Sequence, residues 1–184
     1  MILNSLFGED INISQEGFNF AVKTILHSCS KISLPDSIIE NQAESLNYIK
    51  SLMQLYRNML EERNIPPRAL KSILRNINAT AIQRFLDITG MNRRDGFKHL
   101  QNTLEKKNAD YGNSAIKNGG LVGNYVRMSD KVNRLDNLMT NHSTKPHVLE
   151  PIQDTWLDLA GYATIGVIIL DLTEAKTKPK ETST

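Results

Sequence analysis

Cysteine is nearly missing from this 184-residue chain: Cys29 stands alone, so no disulfide can close within it, and a reducing compartment, the cytoplasm, is the expected setting. Charge of one sign is equally scarce. A formal net charge of +2 is too small for a surface that coats nucleic acid. The N-terminus carries no basic segment followed by an apolar run, so no signal peptide is expected. The longest apolar run, Ala160 to Leu170, is interrupted by Gly161, Thr164 and Gly166 and falls short of the roughly 20 residues that a membrane span needs. Stretches alternating with the two-residue period of strands are few, which points to an all-α protein. Gly119, Gly120 and Gly123 follow no strand and so make no dinucleotide fingerprint, although they would let backbone amides approach a phosphate where the next helix starts. His27, His99, His142 and His147 are scattered, with no pair at metal-ligand spacing, and no serine sits in a nucleophile elbow.

What remains is helical patterning. Ser14 is placed to cap a helix running through Phe18, Val22 and Ile25 to about Ser30. Pro35-Asp36 opens a longer one, read through Arg63, in which Leu46, Ile49, Met53, Tyr56 and Leu60 alternate three and four apart. That stripe serves either an internal core or a homo-oligomer interface. Consecutive prolines at Pro66 and Pro67 break the chain. A short helix to about Asn76 then carries Arg68, Lys71 and Arg75, a basic patch that is either solvated or an anion site, and a second short helix spans Ala79 to Ile88. Asp95 is the candidate cap of a helix starting at Phe97. Thr173 onward reads as a polar, disordered tail.

Three polar clusters stand out between Glu105 and Ile169. Arg127, Asp130, Lys131 and Arg134 fall at i, i+3, i+4 and i+7, on one face of a helix whose other face is Tyr125, Val132, Leu135, Leu138 and Met139. Glu150, Asp154 and Asp158 step by four toward Tyr162, opposite Ile152, Trp156, Leu159, Ala163 and Val167. Packed side by side, the cationic and carboxylate rows would face each other across a groove. The carboxylate row runs into a helix apolar on all sides, which is normally buried, so Asp158 should lie near the core with a cation or metal as partner. A third segment ends a helix in Tyr111-Gly112-Asn113, with Gly112 at the left-handed position past its C-terminus, and would bring Lys107, Asp110 and Asn113 to the groove mouth.

KNADYGNSA, then G-x-x-G before VRMSDKVNRLDNL, then E-x-x-x-DTWLDLAGYA resembles the phage and bacterial family called nucleotide modification associated domain type 1. That family looks related to the all-α nucleoside triphosphate pyrophosphohydrolases of the MazG and dimeric dUTPase type. The resemblance covers about residues 97–169 and implies a helical domain that binds a nucleotide, with magnesium as the expected cofactor. On that reading residues 1–94 form a helical extension or cap, 95–172 the nucleotide-binding bundle and 173–184 the tail. Lys107, Asp110, Tyr111, Asn113, Arg127, Lys131 and Arg134 would hold the ligand; Asp130, Glu150, Asp154 and Asp158 would be the metal candidates. The related hydrolases carry E-E-x-x-E on one helix and E-x-x-D on the next. This chain offers Glu105 and Asp110, five apart, which ranks nucleotide binding ahead of hydrolysis. Three functions follow in order: a nucleotide binder of phage or bacterial nucleotide modification or anti-defence, a magnesium-dependent pyrophosphohydrolase, and a helical interaction protein whose charge rows are only ion pairs.

Overall fold

The computed structural model describes residues 11–63, 65–140 and 151–177, and among these there are helices and connections but no strands. The helices are α1 (Gln15–Cys29), α2 (Asp36–Glu40), α3 (Gln42–Glu61), α4 (Pro67–Thr89), α5 (Arg93–Tyr111), α6 (Ser114–Lys117), α7 (Gly120–Thr140) and α8 (Ile152–Thr177). The all-α expectation holds.

Local chemistry sets most of the ends. Ser14 caps α1 through its hydroxyl to the Gly17 amide, and Gly90, at φ 70°, closes α4. Asn92, not Asp95, caps α5: its side chain accepts from the Asp95 amide while its own amide donates to the Asp95 carboxylate. The span read as one helix from Asp36 is two, because Asn41 leaves the helical region and caps α3 through the Ala43 and Glu44 amides. The two short helices expected around Asn76 are one, α4. Asn78 and Thr80 lower its intrinsic helix preference, but both are buried there and hydrogen-bonded.

α8 is the axis. α4 lies along it most extensively, and α7 packs on it next. By length and composition α8 would cross a membrane, yet 78% of that window is buried inside this protein, so its apolar surface is spent on the core. Trp156, Leu159, Ala163, Val167, Ile168 and Ile169 are fully buried. One continuous core takes in described residues from Ile11 to Leu170, on both sides of the division expected between residues 94 and 95. Leu46, Ile49, Met53 and Tyr56 of the α3 stripe are buried within this core, and Leu60 is partly buried against it. Tyr56 donates to the Leu121 carbonyl at 2.8 Å and meets Tyr125 edge-on.

The tail expected from Thr173 is corrected in part. Residues 173–177 continue α8: Thr173 bonds the Ile169 carbonyl, and Glu174 with Asp171 grips Lys71 of α4. That grip also accounts for Lys71 in the supposed basic patch. Residues 178–184 lie outside the described residues. Gly119 and Gly120, at φ 85° and 52°, turn the chain into α7, and within it a Cβ on Gly123 would sit 2.3 Å from the Asn118 carbonyl oxygen.

Candidate functional site

α7 and α8 run antiparallel with their polar faces together, and the contacts between them form a ladder. Arg127 lies over the Tyr162 ring at 5.9 Å, Lys131 pairs with Asp158 at 2.8 Å, and Arg134 donates to Thr155 Oγ1 at 2.7 Å. Each step up α7 is matched by an equal step down α8, which is what rows at i, i+4 and i+7 give when two helices oppose each other. Among the described residues, the carboxylate row meets the cationic row at Asp158 alone; Asp154 is exposed, and Glu150 lies outside the described residues.

α5 closes the third side. Lys107 reaches Asp158 at 2.8 Å, so one carboxylate is shared by lysines from two helices, one on each oxygen. Burial alone would raise the Asp158 carboxyl, but the hydrogen bonds and charges of Lys107 and Lys131 outweigh it and hold it below its ordinary 3.8. Beside this triad opens a cavity of about 420 Å³. Its apolar floor is Leu100, Leu104, Leu157 and Ile165, with Phe18 brought in from α1, and its charged edge is Lys107, Arg127 and Asp158. Gly161 leaves room there, since a Cβ would stand 3.2 Å from Leu104 Cδ2. Tyr162 forms one wall and Tyr111 the rim, its ring 72% exposed. Gly112 follows at φ 59° and ψ −147°, a region open essentially to glycine, and it turns the chain out of α5 along the cavity edge. Arg127 is steadied by donating to the Ala115 carbonyl.

Of the residues expected to hold a ligand, Lys107, Tyr111 and Arg127 line this cavity, and Lys131 stands behind its edge on Asp158. The others are placed elsewhere. Asp110 faces solvent, because the helical step that turns Lys107 and Tyr111 inward turns Asp110 out. Asn113 donates to Asn12 Oδ1 and the Ile13 carbonyl, fastening the segment before α1. Arg134 is a rung farther along, on Thr155. The metal candidates do not gather: Glu150 lies outside the described residues, Asp130 and Asp154 are exposed, and Asp158 holds two lysines. Among the described residues no group of three or more His, Cys, Asp or Glu side chains assembles.

Sequence reasoning missed Phe18, Thr103, Asn108 and Gly161. Phe18 is about ninety residues from the motif segments, and nothing in its surroundings marks it. Gly161 carried a signal, a glycine within an apolar helix, which marks a close approach or a space left open. Asn108 is buried beneath the rim and donates to Gln15 of α1, whose amide bonds Asn19 and the Glu105 carbonyl. These bonds tie α1 to α5 antiparallel. No family model, curated protein or solved structure matches this chain when it is compared with them.

Proposed function

We propose that the cavity between α5, α7 and α8 binds a nucleotide and holds it without cleaving it, in phage or bacterial nucleotide modification. The observation carrying this reading is convergence: Lys107, Tyr111, Arg127 and Asp158, drawn from the three segments on which the resemblance rests, border one cavity. Its volume lies in the range of small-ligand sites, roughly 300–1,000 Å³, and its make-up is that of such sites, an apolar interior with a few convergent polar groups. Lys107 and Arg127 offer charge-assisted hydrogen bonds to phosphate oxygens. Tyr111 offers an exposed aromatic face to a base. Asp158 orients Lys107 toward the cavity edge.

Binding stands ahead of hydrolysis because Asp158, the one carboxylate among the described residues that line the cavity, has both oxygens on lysines. The test is a thermal-shift screen of the full chain against nucleosides and nucleotides with and without magnesium, followed by chromatography of each hit. A bound nucleotide raises the midpoint by mass action. A hit recovered intact supports the proposal, and one recovered as monophosphate plus pyrophosphate replaces it with the hydrolase. No shift with any nucleotide leaves the ladder as an interhelical ion-pair scaffold.

A further inference from the structure

A second cleft, of about 780 Å³, opens between α1 and the first turns of α5 and shares no lining residue with the cavity above. We infer that it is an anion site whose ligand class is the polyphosphates, compact chains of two or more phosphates recognised without a base or sugar. This site does not depend on the nucleotide reading.

Helical spacing builds the cleft. Lys23 and His27 stand one turn apart on α1, and Arg94, Lys98 and Gln101 share a face of α5 at i, i+4 and i+7, with Leu26 and Phe97 buried beneath. Arg93 has a structural duty. It donates to the Ser30 and Ile32 carbonyls at 3.2 Å each, satisfying the end of α1, and lies over the Phe97 ring at 5.5 Å. Lys23, Arg94 and Lys98 are exposed, line the cleft, and enter no ion pair among the described residues. Helix stability alone would not choose them: Arg94 and Lys98 repel at i, i+4, and cations in the first turns of a helix oppose its dipole. Asp95 is the one carboxylate in the lining, and its Oδ2 accepts from the Asn92 amide at 2.6 Å. The other charged residues of α1 and α5, Glu16, Glu105, Lys106, Lys107 and Asp110, lie at the far end of the pair, where Gln15 bonds the Glu105 carbonyl. Past α1, exposed Lys31 adds to the positive end, Asp36 belongs to α2, which packs on α3 and α4, and Asp87 of α4 is held by Arg84 and Gln83. An anion seated here relieves the repulsion and meets the Arg93 and Arg94 amides, the outward donors ahead of the one that Asn92 caps. Two features favour a polyphosphate. The cations are spread along a turn of α5, about 6 Å of rise, and across to α1, so charge distributed along a chain suits them better than one phosphate. Phe97 is 8% exposed with Arg93 over its face, and among the described residues no Tyr or Trp lines the cleft, which leaves a base little to stack on.

Isothermal titration of the full chain tests this at neutral pH and fixed ionic strength, without magnesium, using inorganic phosphate, pyrophosphate and tripolyphosphate. Affinity should climb with each added phosphate, tripolyphosphate exceeding orthophosphate by at least about tenfold. Arg94→Gln and Lys98→Gln, at exposed side chains, should each cost tripolyphosphate about fivefold while the thermal midpoint stays close to that of the parent. Equal affinity for orthophosphate and tripolyphosphate overturns the inference, as does the absence of binding. Tripolyphosphate affinity that survives both substitutions overturns it too, and a loss with Lys107→Gln would then place the anion in the first cavity. A single-stranded oligonucleotide or a polyglutamate peptide held at least about tenfold tighter than tripolyphosphate through Arg94 and Lys98 overturns it in another way, making the cleft a nucleic-acid or acidic-peptide surface.

Discussion

Asp158→Asn tests whether the shared carboxylate holds three helices together or merely decorates them. The substitution keeps the shape and removes the charge that Lys107 and Lys131 divide at 2.8 Å each. The Lys107 arm is more than half exposed, so it is worth about 0–1 kcal/mol after solvent screening. The Lys131 arm joins side chains only 20% and 22% exposed, where a hydrogen bond to a charged group contributes roughly 1.5–3 kcal/mol. The asparagine carbonyl still accepts from one lysine, which returns part of the loss. The net expectation is about 1–2 kcal/mol, or a thermal midpoint lower by roughly 3–6 °C for a chain of this length. The pH dependence has a definite sign. The Asp158 pKa is depressed in the folded state, so its stabilisation is fully present above the ordinary 3.8 and is lost as pH falls through the lower folded value. Urea unfolding of both proteins, from about pH 6 down to the most acidic pH at which both still fold, should therefore show a gap that narrows only below about pH 4. An equal gap at every pH would mean that packing, not charge, was lost. No gap at neutral pH would make the triad a surface ornament.

Tyr111→Ala should leave unfolding free energy within about 0.5 kcal/mol, because the ring is exposed, yet weaken nucleotide binding by about 1–3 kcal/mol of lost stacking, read by titration calorimetry. Arg134→Ala should do the reverse. It gives up the bond to buried Thr155 and costs about 1–2 kcal/mol in urea unfolding, with ligand affinity unchanged, since Arg134 lies off the cavity. Cys29 is fully buried, and burial pushes its thiol up to about 12. The folded protein at about pH 8 should therefore resist iodoacetamide that the urea-unfolded chain takes up readily. Stability should also decline as pH rises past the thiol's ordinary 9.0, where the unfolded chain releases a proton that the folded one keeps.

The ladder was legible in the sequence because helical periodicity is local: Arg127, Lys131 and Arg134 had to share a face, and so did Asp158 and Tyr162, whatever surrounded them. Its partners were legible only in class. Rows of opposite sign predicted that the two faces would meet, but not that Arg134 would reach the Thr155 hydroxyl or Arg127 an aromatic ring. Which rungs meet depends on the axial offset of two helices, and side-chain spacing within one helix does not encode that. The helix end placed at Thr173 failed for a related reason. Polarity there signals exposure only if nothing packs alongside, and Lys71 of α4, a hundred residues earlier, takes both Asp171 and Glu174. Asn76 to Thr80 misled in the same way, since a polar interruption of a helix reads as a break until its hydrogen-bond partners on α8 are known. Phe18 was beyond reach, because its role comes from the antiparallel pairing of α1 and α5.

Those polar interruptions explain why the cavity sits where it does. Asn78 of α4 donates to the Ala160 carbonyl, and Asn124 of α7 donates to the Tyr162 carbonyl, so two buried amides grip α8 on either side of Gly161. Neither arrangement is free of cost. Both leave a buried Oδ1 without a partner, and an apolar pair at each crossing would avoid that. What the amides supply is register, since a hydrogen bond to one named carbonyl fixes the axial position of α8 against its neighbours where sliding apolar faces would not. Asp158, Gly161 and Tyr162 are thereby held at set heights opposite Lys131, the cavity floor and Arg127. The wall bearing Asp158 and Tyr162 is built into the core, while the α5 edge meets solvent through Lys107 and Tyr111. A site with one wall fixed by buried polar ties and one lined by exposed side chains is suited to take a ligand against the fixed wall and fold the exposed groups over it.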